Sequence, residues 1–82
     1  MGNIIEKLNI NNHMHKGTIK QVSGSTGYGF LLVEGREKDL FFHVSGFKYP
    51  EDFRTLFTGR ELSFDEIRQN EKGDFAYGIE LS

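Results

Sequence analysis

The sequence has no cysteine, no tryptophan and a single proline, and these shortages exclude whole classes of protein. Without thiols there is no disulfide framework and no thiolate metal site. Nothing points to an oxidising compartment, so a reducing cytoplasm is the expected location. No stretch approaches the roughly 18 consecutive apolar residues of a membrane helix. The N-terminus lacks the charged start and apolar middle of a secretion signal. Met1-Gly2 does not fit a myristoylation signal, because Glu6 stands where that motif takes Ser or Thr. The formal net charge of −2 excludes a broad cationic surface for gripping duplex phosphate, so any contact with nucleic acid must be made by a local face.

Catalytic constellations are missing as well. The glycine-rich stretch Gly24 to Gly29 has neither the spacing nor the Lys-Ser/Thr ending of a phosphate-cradling loop. Glu34, Glu37 and Asp39 flank a hairpin tip, where solvated charge is the ordinary explanation. His13 and His15 form a pair with no further ligand at useful spacing, so they read as incidental and not as a metal site. A nucleophile or acid–base group with a positioned partner is not apparent, and the chain reads as a binding protein with no enzyme activity and no cofactor.

What the chain does have is eight Phe, three Tyr and ten Gly, a mixture that favours short twisted strands and tight turns over long helices. At 82 residues there is room for one hydrophobic core. Residues 1–15 differ from the rest, being rich in Asn, and read as a flexible N-terminal arm. From Lys16 onward, runs of strand length alternate with turn signals. They cover Gly17 to Val22, Tyr28 to Glu34, Asp39 to Val44, about Glu61 to Arg68, and Phe75 to Leu81. Five short strands with no helical pattern between them predict an all-β fold, a closed or nearly closed antiparallel barrel over residues 16–82. The longest connection, Ser45 to Phe57, carries Phe47, Tyr49, Phe53 and Phe57 and is too aromatic for an idle linker.

Alternation in the second strand puts Tyr28, Phe30 and Leu32 on one face; in the third it groups Phe41 with His43. A barrel this small has one interior. Leu31, Val33, Leu40 and Phe42 are assigned to it, joined by Ile19, Leu62, Phe64, Ile67, Ile79 and Leu81. Tyr28, Phe30, Phe41 and His43 then face outward on adjacent strands, and contiguous exposed rings mark a binding surface. Nucleobases are natural partners for such a face, since every base has a π-surface. Gly27 and Gly29 read as clearing space beside the rings. Alternation alone leaves the opposite register open, in which these rings form the core.

Three segments bear on that choice: Lys16-Gly17-Thr18-Ile19-Lys20, Gly27-Tyr28-Gly29-Phe30-Leu31 and Asp39-Leu40-Phe41-Phe42-His43-Val44-Ser45. In order and spacing they resemble the cold-shock domain family, which includes bacterial cold-shock proteins and the nucleic-acid-binding domain of Y-box proteins. The second and third segments match its two ribonucleoprotein motifs. The resemblance extends through Phe53, Gly59, Ser63-Phe64 and Gly73. It implies an all-β, five-stranded antiparallel OB-type barrel that binds single-stranded RNA or DNA on the face of strands two and three, with an RNA-chaperone or antitermination role. It also implies stacking by Tyr28, Phe30, Phe41, His43 and the loop residue Phe53. Lys20 and Lys72 fall at basic positions near the strand path, and Asp39 falls at an acidic position that accepts hydrogen bonds from a base edge. His43 can stack when neutral and adds charge when protonated.

The match has gaps. Gln21 stands where many bacterial members carry Trp, Val22 and Val44 where they carry Phe, and Thr26 where they carry Lys. With each stack worth about 1 to 3 kcal/mol, weaker binding than that of a typical bacterial member is expected. Exposed Leu32, Tyr49 and Phe57 leave an alternative, a protein-interaction module with the capacity for weak homodimerisation through the same apolar face and loop.

Overall fold

The computed structural model describes residues 15–82; the proposed arm lies outside the described residues, His13 included, except for its last residue, His15, which is in a strand. Five strands follow in order: β1 (His15–Ser23), β2 (Tyr28–Leu32), β3 (Leu40–His43), β4 (Glu61–Asn70) and β5 (Gly73–Leu81). They close into a barrel in the order β1-β2-β3-β5-β4. Every pairing is antiparallel except the contact of β3 with β5, where Phe41 and Phe75 are partners in a parallel seam. β1 begins two residues before the expected Gly17, with the His15 ring stacked on Phe64 at 5.2 Å between centroids. Among the described residues no helix is long and apolar enough to cross a membrane.

The interior is built from Ile19, Leu31, Leu40, Phe42, Leu62, Phe64 and Ile79, all essentially inaccessible to solvent. Val33, Ile67 and Leu81 pack against this core while only partly buried. Two buried members were not foreseen, Ala76 and Phe47. Phe47 follows a short 3₁₀ turn, Val44–Gly46, and bridges to Ile79, which draws the start of the long connection down onto the barrel. A second 3₁₀ turn, Pro50–Thr55, starts on the only proline, whose fixed φ suits a first helical position.

Two departures from simple alternation determine which residues reach the surface. In β1 the register with β2 shifts between Ile19 and Gln21. The extra residue, Lys20, lets Ile19 point inward and Gln21 stand opposite Phe30, although the two share a parity. In β4 and β5 the buried positions pass from Phe64 to Ile67 and from Ala76 to Ile79, again out of step with a period of two. Gly78 lies at this change of phase with φ +71°, a conformation that favours glycine. A Cβ there would also meet Asp65 Oδ2 at 2.7 Å.

Candidate nucleic-acid interface

Between β2 and β3 the ladder pairs Tyr28 with His43 and Phe30 with Phe41, and the pleat carries all four side chains to the side opposite Leu31, Leu40 and Phe42. The outward assignment therefore holds, and the opposite register does not. Tyr28 lies nearly flat on Phe41, with centroids 4.8 Å apart and planes 28° from parallel. His43 tilts against Tyr28 at 4.4 Å, and Phe30 meets Phe41 edge-on at 5.6 Å. These contacts hold the rings as one cluster, so little side-chain order remains to be imposed by a ligand. Phe30 is the most open of them at 36% exposed.

The two motif glycines serve different ends. A Cβ on Gly27 would come within 3.2 Å of His43 Nε2, so its absence leaves room for the imidazole, and φ of +79° fits glycine there. Gly29 does not clear the outer face. It points inward, where a Cβ would collide with the Phe42 ring and come within 2.7 Å of Gln21 O. Its lack of a side chain lets Phe42 fill the core.

His43 is also tied into the backbone. The Ser45 N–H donates to its Nδ1 at 3.1 Å, with Ser45 Oγ at 2.8 Å from the same atom. Because a backbone N–H can only donate, Nδ1 accepts and the neutral ring carries its proton on Nε2.

The remaining residues expected at the interface are placed unevenly. Lys20 Nζ donates to Asp39 Oδ2 at 2.9 Å, so the two partly cancel each other's charge. Lys72 is on the platform itself, with Nζ 5.6 Å from the centroid of Tyr28. Among the described residues neither Lys72 nor Lys38 makes an ion pair. Phe53 is not gathered with the four strand rings. It sits edge-on to Phe47 and Phe42, at 5.8 and 6.4 Å, as a half-buried extension of the core. Val22 likewise packs against the core, so a ring missing there is not missing from the outer face. Leu32, Tyr49 and Phe57, the basis of the protein-interaction alternative, are 49%, 52% and 56% exposed.

Sequence reasoning missed part of the surface. Phe75 and Tyr77 share the parity of the buried Ile79 and would be placed inside by strict alternation, but the change of phase at Gly78 turns them toward Tyr28, Phe41 and His43. Arg68 covers Tyr77, its guanidinium 3.6 Å from the ring centroid, and donates to Glu66 at 3.1 Å. That hydrogen bond raises the Arg68 pKa further. Next to the turn that joins β4 to β5, Asp74 receives hydrogen bonds from Arg36 and Gln69, which hold its carboxyl below the usual carboxylate range. A glycine within an aromatic-rich strand was the available signal for the change of face.

Comparison with known proteins gives the same picture. Residues 15–82 match the model of the 'Cold-shock' DNA-binding domain. Cold shock-like protein CspD of Escherichia coli strain K12 is 38% identical over 63 residues, which is 77% of this chain and 82% of that protein. Cold shock protein CspB of Bacillus caldolyticus is 39% identical over 66 residues, covering 80% of this chain and 96% of that one. Among solved structures, drosophila Unr CSD456 superposes with a TM-score of 0.68 at 26% identity; the match takes in 94% of this chain and 30% of the longer Unr chain. A five-stranded barrel with its rings turned outward, matched over nearly every described residue, places this chain in the cold-shock domain family.

Proposed function

We propose that this domain binds single-stranded RNA or DNA by stacking bases on Tyr28, Phe30, Phe41 and His43, and that it acts without catalysing a reaction. The observation that carries the reading is the contiguity of these four rings on two adjacent strands, outside a core already complete without them. Phe53 offers a further ring from the long connection, and Lys20, Asp39 and Lys72 supply polar contacts along the path. A strand of about five to seven bases lies across β2 and β3, with phosphates turned mainly to solvent. With few free cations and no ring at Gln21 or Val44, the binding is weak and tolerant of sequence. Such binding suits a cytoplasmic RNA chaperone or antiterminator that keeps transcripts unpaired.

The test is a titration of labelled oligothymidine and oligouridine heptamers at ~0.1 M salt. Dissociation constants of micromolar order or weaker are expected. Replacing Phe30 and Phe41 together by Ala removes binding while the far-ultraviolet spectrum stays that of a folded barrel. Undiminished binding by that variant rules out the platform. The competing reading, self-association through Leu32, Tyr49 and Phe57, gains support only if heptamers fail to bind and the apparent mass rises with protein concentration.

A further inference from the structure

The apolar face does not stop at β3. Across the parallel seam Phe41 is partnered by Phe75, and Tyr77 follows two residues later on the same outer side. Tyr28, Phe41 and His43 on one side and Phe75 and Tyr77 on the other border a groove of about 490 Å³, a size typical of small-ligand sites.

Three features suit this groove to a flat aromatic guest. Its floor is nearly free of side chains, being made by the buried residues Gly46 and Ala76. One wall is held still, since Arg68 lies 3.6 Å from the centroid of Tyr77 and is itself anchored by Glu66. Its charge is placed at the boundary with a second groove. Lys72 and Phe41 border both this groove and a neighbouring one of about 450 Å³, which is also lined by Phe30.

We infer that the β3–β5 groove is an additional nucleobase subsite. One base of the bound strand enters between the Tyr28–His43 side and the Phe75–Tyr77 side. The next base stacks on Phe30 and Phe41, and the phosphate between the two lies at Lys72. Ser45, Asn70 and Glu71 also line the groove and are its polar residues nearest to a base edge. The Asn70 carbonyl oxygen already accepts from the Lys72 N–H at 2.7 Å, which leaves its NH₂ for the base. The inference rests on the proposed function and extends it to β5, whose rings are separate from the β2–β3 platform.

The test uses the protein with fluorine-labelled tyrosine. Three tyrosines give three fluorine signals, and that of Tyr77 is identified by its loss in Tyr77→Phe. On saturation with an oligothymidine heptamer the Tyr77 signal is expected to move together with that of Tyr28. Phe75→Ala and Tyr77→Ala are each expected to weaken the heptamer by about 5- to 150-fold, the worth of one stacked base. A saturated complex in which Tyr28 shifts and Tyr77 does not overturns the subsite and leaves the β2–β3 platform standing. Failure of the heptamer to bind at all overturns both. Because either alanine variant can lose stability, the fluorine signal of the unsubstituted chain decides the matter independently of them.

Discussion

Gln21 stands directly opposite Phe30 on the outer face of the barrel, and the bulge at Lys20 puts it there. A ring at this position would continue the line of Phe30 and Phe41. Glutamine leaves that end of the face polar.

Gln21→Trp should therefore tighten binding of a single-stranded heptamer by about 5- to 150-fold, the contribution of one added stack. The new Trp would be the only one in the chain, so its quenching on titration reports the contact directly. An unquenched Trp with unchanged affinity would show that the strand does not reach this end of β1.

Charge gives a second expectation. Lys20 is paired with Asp39, whereas Lys72 has no carboxylate partner among the described residues. Lys72→Met should reduce the steepness of the log–log salt dependence of binding by about 0.7, the share of one single-strand phosphate. Lys20→Met should change it much less. Equal effects from the two would mean that Lys20 leaves Asp39 when the strand binds.

Gly29 is the sensitive point of the core. In Gly29→Ala the methyl group meets both Phe42 and the Gln21 carbonyl, and neither can move away freely. Overpacking of this kind costs about 1 to 3 kcal/mol or more, and for a domain of this size each kcal/mol lowers Tm by about 4 to 8 °C. Thermal unfolding measures it; a Tm within a degree or two of the parent would contradict the packing described.

Asp74 ties β5 to the β2–β3 connection through Arg36, with Gln69 as a second donor. Its folded-state pKa is lowered by the hydrogen bonds of Arg36 and Gln69. The stabilisation is accordingly full above the ordinary carboxylate pKa and disappears as pH falls through the lowered value. The parent should exceed Asp74→Asn in urea midpoint at neutral pH, and the difference should close on acidification. A difference independent of pH would assign the effect to packing.

Much of this protein was legible in the chain because a strand writes its two faces as a period of two. Leu31, Leu40 and Phe42 could be assigned inward, and Tyr28, Phe30, Phe41 and His43 outward, from alternation and motif order. The same local reasoning gave the wrong role to Gly29. Its inward direction follows from its neighbours, but the ring that fills its vacancy comes from β3. It also passed over Phe47, which lies in an irregular segment with no period to read and is buried by its bridge to Ile79.

The sequence alone was enough for an all-β barrel, because composition, strand periodicity and turn residues act within short stretches. Periodicity left the direction of the rings on the second and third strands open, and the ordered motifs shared with the cold-shock domain family turned them to the outer face. Only the tertiary structure decided how far that face extends and how much of its charge is free. A bulge at Lys20 and a positive φ at Gly78 shift the phase of whole strands, which brings Gln21, Phe75 and Tyr77 to the surface. Closure of the barrel sets Phe75 beside Phe41 and the strand order carries Lys20 to Asp39. These are contacts between residues distant in the chain, and no local period records them.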